Sequence, residues 1–240
     1  MIEIVRKKEQ AQGQFNNGAI IEHKPIGFPQ DGGKLKAYSN LFYWAYAEAA
    51  SDSTIGLHPH RGFEIMTIVL EGNIQHYDTI LKQWIPLESG GVQVIQAGSG
   101  ISHSEALQAG AKIFQIWFDP NLAQSLGQKP NYQDFPKEAF KTANGKRLIT
   151  NGNSPINLQT HCIEIVEQEI SKGSFSVELD TESYYSIFLV SGKLQEGETV
   201  IQQHDFLKIS EEKLLEVEAL EESHILYIKS PLKVPYRTFA

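Results

Sequence analysis

The 240-residue chain contains a single cysteine, Cys162, which excludes intrachain disulfides and thiolate metal clusters. Any metal must therefore be held by imidazoles and carboxylates. Flanked by His161 and Ile163, Cys162 itself is expected to be a small buried hydrophobe. No window approaches the roughly 18 apolar residues of a membrane span, and the opening MIEIVRKKEQ has no apolar signal-peptide core, so no membrane partner and a cytoplasmic location are expected. Positive charge is short as well: 21 Lys and Arg stand against 29 Asp and Glu, a formal charge of -8, with no basic cluster. Phosphate neutralisation needs such a cluster, so direct nucleic-acid binding is not expected. Several catalytic signatures are missing, among them G-x-S-x-G, H-E-x-x-H and G-x-x-x-x-G-K-[ST]. The G-x-G of AGSGIS lacks the third glycine and the helix that nucleotide binding needs.

Long helical periodicity is also scarce, and what replaces it is β-structure. Nineteen Gly and ten Pro punctuate short runs of Val, Ile, Phe and Tyr, the pattern of a sandwich or barrel. Runs at 63–70, 91–95, 112–118, 183–190 and 225–229 have strand length and composition, and turn signals such as Glu71-Gly72-Asn73 and Ser191-Gly192-Lys193 follow directly. The stretch between Asp119 and Pro155 is rich in Pro, Asn and Gln and reads as a connection with one or two helical turns. An N-terminal domain over 1–120, a connecting segment over 121–150 and a C-terminal domain over 151–240 follow. The two halves show a faint repeat: IMTIVLEGNI from Ile65 and YSIFLVSGKL from Tyr185 superpose at an offset of 120 with the glycine kept.

Chemistry concentrates in the first half. In LHPHRGFE, His58 and His60 are two residues apart, which in a strand sends both imidazoles to one face about 6–7 Å apart. AGSGISHSE repeats the device with His103 and Glu105, again beside glycines. Three imidazoles and a carboxylate suit Fe(II), Mn(II), Ni(II), Cu(II) or Zn(II), whereas Mg(II) wants oxygens. Four protein ligands leave about two of six positions open. Glu64 is a further candidate, because its even spacing from His60 keeps it on the same face if no bulge intervenes. Gln93, Met66 and Ile68 are expected to line the interior. His23, His76, His161, His204 and His224 lack partners at ligand spacing and are assigned surface or structural roles. In the second half the offset maps His58 and His60 onto Glu178 and Asp180, and no His or Glu pair answers His103 and Glu105; Glu216 and Glu218 read as surface acids.

His58-Pro-His-Arg-Gly-Phe-Glu64, Leu70-Glu-Gly72, the HYD of His76 to Asp78, and GVQVIQAGSGISHSE from Gly91 to Glu105 together resemble the signature of the pirin family, a branch of the cupin superfamily. The resemblance is strong over about 15–120 and otherwise rests on length and layout. It implies an all-β bicupin of two jelly-roll β-barrels, with one divalent metal, iron(II), in the first, held by His58, His60, His103 and Glu105; zinc, nickel, manganese or copper could occupy it on purification. It also implies a quercetin 2,3-dioxygenase-like activity, with a small phenolic or enolic molecule and dioxygen as partners. In such a reaction Glu105 is the residue expected to accept the substrate proton, since a ligating imidazole usually donates its second N–H elsewhere. A different class of function, a metal- or redox-sensing protein acting on a protein partner, is implied by transcription-linked members of the family.

Overall fold

The computed structural model describes residues 1–239. Its 22 strands form two seven-stranded and two four-stranded sheets, laddered antiparallel. In chain order the first are β1 (Ile2–Val5), β2 (Ala11–Phe15), β3 (Ile20–Ile26), β4 (Leu41–Ala49), β5 (Ser53–His60), β6 (Glu64–Glu71), β7 (Asn73–Asp78), β8 (Trp84–Glu88), β9 (Val92–Gln96), β10 (Ile101–Leu107), β11 (Lys112–Phe118) and β12 (Asn131–Phe135). There follow β13 (Thr142–Ala143), β14 (Lys146–Leu148), β15 (Glu164–Ile170), β16 (Gly173–Glu178), β17 (Ser183–Ser191), β18 (Leu194–Glu196), β19 (Thr199–Ile201), β20 (Phe206–Ser210), β21 (Leu214–Ala219) and β22 (Ser223–Pro231). No helix is long and apolar enough to cross a membrane.

One compact unit comprises Ala11–Ala139 with the tail from Tyr236. Its larger sheet runs β12-β9-β6-β11-β4-β3-β2 and its smaller one β5-β10-β7-β8. Alternation decides which side chains meet between them. Ala47, Val69 and Ile113 of the larger sheet share a buried cluster with Ile74, Leu87 and Leu107 of the smaller, and each of the larger aliphatic chains among them stabilises by about 1.5–3 kcal/mol. The sheets face one another as a jelly-roll sandwich: among the described strands no ladder joins them, so the expected barrel is not closed. The chain instead switches sheets at tight turns. Gly62, with φ 85°, turns β5 into β6, and Gly72, with φ 73°, turns β6 into β7, where a Cβ would lie 2.9 Å from the Ala111 backbone.

The other unit comprises Met1–Gln10 with Phe140–Pro235. It repeats the plan: β1-β20-β17-β22-β15-β14-β13 over β16-β21-β18-β19. The faint repeat is thus a duplicated fold, with β6 and β17 both central. The ladder also aligns the second ligand strand, because Leu107 pairs Ile74 as Ala219 pairs Leu194. His103 and Glu105 then correspond to Leu215 and Val217, which are buried with Ile187, Leu189 and Ile225 in an aliphatic interior. Glu178, Glu216 and Glu218 are exposed.

The chain ends are exchanged relative to the expected division at 120 and 150. β1 completes the second unit's larger sheet by pairing β20, and Asp205 fixes the following residues by accepting from Arg6 Nη1 at 2.7 Å and from Lys7 N at 2.9 Å. The tail joins the first unit, where the Tyr236 hydroxyl donates to the Asp119 carbonyl at 2.8 Å and the Phe239 ring lies 5.1 Å from Phe42. Such pairings over more than a hundred residues leave no local pattern. The proline-rich stretch holds a short α-helix, Leu122–Ser125, capped by the Asn121 side chain accepting from Ala123 N, and a 3-10 turn, Lys137–Ala139, and it also supplies β12 on the edge beside β9. Cys162, expected to be buried, is exposed at a turn with φ 53°.

Candidate metal centre

β5 lies beside β10, and the register sets His58 opposite His103 and His60 opposite Ile101. The three imidazoles converge. His103 Nε2 stands 2.9 Å from His60 Nε2 and 3.0 Å from His58 Nε2, and the ring centres are 4.4–4.8 Å apart. Nitrogens bonded to one ion at about 2.0–2.1 Å lie about 2.9 Å apart across a right angle and about 3.3 Å apart across a tetrahedral one. The two short edges therefore fit neighbouring corners of an octahedron. His58 Nδ1 donates to the Gly56 carbonyl at 2.8 Å, which leaves its Nε2 lone pair free for an ion. Burial, then the neighbouring His103 and His58, pushes His60 down to about 3; burial, then His58 and His76, does the same to His103. Both rings are neutral at physiological pH, as metal ligands must be.

Those depressed values predict how the metal-free protein responds to acid. Below about 6.5 the unfolded chain protonates histidines that the folded chain keeps neutral, so their contribution is present above that pH and is lost as pH falls toward 3. The slope is about 1.4 kcal/mol per pH unit per histidine. Asp119, pushed up to about 6 by burial, acts in the opposite sense. Urea midpoints of wild type and His103→Ala between pH 4 and 6.5 should therefore differ in slope by about one proton, the variant being flatter.

Glu105, the fourth expected ligand, is fully buried, but among the described residues the group whose ligand atoms all lie within 4.8 Å comprises the three histidines. Its carboxylate is held from the opposite sheet. Oε1 accepts from Thr67 Oγ1 at 3.1 Å and from Gln93 Nε2 at 3.1 Å, and Oε2 accepts from Gln115 Nε2 at 2.7 Å. Gln115, Thr67 and Gln93 form one cross-strand row, since Gln115 pairs Thr67 and Thr67 pairs Gln93. Two outer donors fix the row: Trp117 Nε1 donates to Gln115 Oε1 at 3.2 Å and the Tyr132 hydroxyl to Gln93 Oε1 at 3.3 Å.

Alternation corrects other expectations. Gln93 does face the interior, but Met66 and Ile68 are one step out of phase with Thr67 and point to the sheet's other face. Glu64 shares that face, where Gln96 Nε2 donates to it at 2.9 Å, because the turn at Gly62 breaks the spacing from His60. His76, expected to have a surface or structural role, is fully buried, 2.8 Å from Asp78 Oδ2 and stacked on Tyr132 at 4.3 Å, beside the site. The signal was there: His76-x-Asp78 has the same spacing as His103-x-Glu105, and β10 sets Glu105 opposite His76 and His103 opposite Asp78. An aromatic group flanks His60, with the Trp117 ring 4.8 Å away edge-on and Tyr43 and Phe28 beyond it.

Two duplicated jelly-roll units, one with three converging imidazoles and one with an aliphatic interior, define a bicupin. The profile of the pirin family matches residues 34–118. A Pseudomonas aeruginosa protein provisionally named a quercetin 2,3-dioxygenase is 32% identical over 240 residues, covering 94% of this chain and 99% of the relative. The chain belongs to the pirin family. It is also similar to a quercetin 2,3-dioxygenase of Escherichia coli K12, at 29% identity over 73% of this chain and 76% of that one. In fold it matches a bacterial pirin of Escherichia coli solved in complex with nickel(II), with a TM-score of 0.81 and 22% identity over 96% and 99% of the two chains.

Proposed function

We propose that the protein is a metal-dependent dioxygenase acting on a flavonol or related enolic or phenolic substrate. The observation that carries the reading is the convergence of the His60, His103 and His58 Nε2 atoms at 2.9 and 3.0 Å. These three residues hold one divalent ion, iron(II) in the active form, and Glu105, which lies outside the histidine cluster without metal, moves in as fourth ligand. When bound, the metal supplies Lewis acidity and open positions for a substrate oxygen and dioxygen. Glu105 accepts the substrate hydroxyl proton. Oε2 is the oxygen for that task, since it has one donor where Oε1 has two. Trp117 beside His60 offers a flat apolar surface to a planar ring. The named activities of relatives support the substrate class.

An oxygen electrode tests this. Iron(II)-loaded protein should consume dioxygen with quercetin, and chelated protein should not. With occupancy verified, absence of uptake on any enolic or phenolic compound would exclude the enzyme reading.

A further inference from the structure

In the interior of the first unit, Nδ1 of His103 and Nδ1 of His76 have no partner among the described protein atoms. Both residues are fully buried. A buried polar atom without a partner is rare in folded proteins and points to an ordered water or ion. Here the two atoms have opposite needs. Asp78 Oδ1 accepts from the backbone N–H groups of Ile80 and Leu81, each at 2.7 Å, and Oδ2 faces His76 Nε2 at 2.8 Å. The carboxylate only accepts, so His76 carries its proton on Nε2 and its Nδ1 is a bare lone pair. His103 is the reverse, for a ring that offers Nε2 to a metal carries its proton on Nδ1 and needs an acceptor there. The two rings are 5.5 Å apart, centre to centre, at 45°.

We propose that one buried water joins the His103 Nδ1–H to His76 Nδ1, making His76 and Asp78 positioning residues that hold His103 in its metal-binding tautomer. The inference rests on the reading that the three histidines hold a metal. It assigns a purpose to the second His-x-acid pair that the fold otherwise leaves without one. The His76 ring cannot turn to serve another group, because it lies flat on Tyr132 at 4.3 Å and 9° while Asp78 holds its far nitrogen. Asp78 is fixed in turn by the loop amides of Ile80 and Leu81. The order of support thus runs from backbone to Asp78, to His76, through water, to His103. A protein-bound water of this kind makes two to four hydrogen bonds and is costly to remove.

Asp78→Asn discriminates. The Ile80 and Leu81 amides require an acceptor, so the side-chain carbonyl takes the place of Oδ1 and the NH2 group turns to His76. His76 must then accept at Nε2 and carry its proton on Nδ1, so the water meets two N–H donors and loses His76 as the acceptor for its own proton. Long-range proton–nitrogen NMR of the imidazoles in the full chain reports each tautomer without metal, and calorimetric titration with Zn(II) reports affinity. Wild type should show His76 protonated on Nε2 and Asp78→Asn should show it on Nδ1, with Zn(II) affinity reduced 10–100-fold, the usual cost of losing an outer partner. His76→Phe keeps a ring against Tyr132 and removes the acceptor, so it should lose affinity to a similar extent; if Asp78→Asn does not fold, this variant carries the test. His224→Ala should bind as wild type does. A wild-type His76 protonated on Nδ1 overturns the proposal, as does wild-type affinity in His76→Phe or in a tautomer-switched Asp78→Asn. If wild type itself fails to bind Zn(II), the metal reading falls and the proposal with it. If wild type binds and both variants bind equally well, only the proposal falls.

Discussion

His60→Ala should abolish stoichiometric metal binding, while His204→Ala should leave one metal per chain. His60 supplies one of the two short edges of the nitrogen cluster, at 2.9 Å from His103. Its removal leaves two imidazoles on neighbouring strands and a carboxylate already engaged by three donors. The loss should exceed the 10–100-fold that follows removal of an outer partner, because a donor atom itself is gone. His204 belongs to the second unit, where its backbone N–H donates to the Leu189 carbonyl at 2.7 Å and its carbonyl accepts from Gln10 Nε2 at 2.6 Å. Those bonds are made by backbone atoms and survive truncation. Elemental analysis of untagged, dialysed protein reads the outcome, and two metals per wild-type chain would contradict an aliphatic second interior. Loading should also raise the thermal midpoint of the wild type, since a ligand at a hundredfold excess over its dissociation constant stabilises by about 2.7 kcal/mol. His60→Ala should show no such rise.

What could be read from the sequence follows a physical division. The i, i+2 spacing of His58 with His60 and of His103 with Glu105 is local, and strand geometry alone puts each pair on one face. The strands named from composition and the corner at Gly72 were legible for the same reason, whereas the corner at Gly62 was not. The face chosen by each strand was not. Met66 and Ile68 carry the apolar side chains that an interior wants, yet both faces of β6 are buried and the polar Thr67 is the one that turns to Glu105. The usable signal was a polar residue at the inward step of an apolar alternation. Gln115 between Ile113 and Trp117, Thr67 between Ile65 and Val69, and Gln93 before Ile95 all show it. Each alone looks like a tolerated polar residue, and their alignment into one row exists only after the register of three strands is set. The exchanged chain ends were out of reach for a related reason, since β1 pairs with β20, which begins only at Phe206.

Glu105→Gln should lower turnover by about 10² or more, the range typical of a lost general base, even where metal is retained. An amide keeps the size of the side chain and still presents one oxygen, but it has no charge and no second acceptor. The row of donors decides which way it sits. Thr67 and Gln93 both donate to Oε1, so the amide oxygen takes that place and the NH2 group falls where Oε2 was. There it meets the Gln115 NH2, which cannot readily turn away because the Trp117 N–H holds the Gln115 oxygen at 3.2 Å. The variant thus loses the proton acceptor and also sets two donors face to face, at a cost of roughly 1–3 kcal/mol in stability. Trp117→Phe releases the Gln115 amide to rotate, so Glu105→Gln should cost less stability in a Trp117→Phe background than in the wild type, while turnover should still fall relative to Trp117→Phe alone. Oxygen uptake at verified occupancy, together with urea midpoints of the wild type, the two single variants and the double variant, separates the roles. Full turnover in a metal-retaining Glu105→Gln protein would leave Glu105 a ligand or a structural acceptor and move the proton to another group; recovery of turnover in the double variant would mean that packing, rather than proton transfer, had caused the loss.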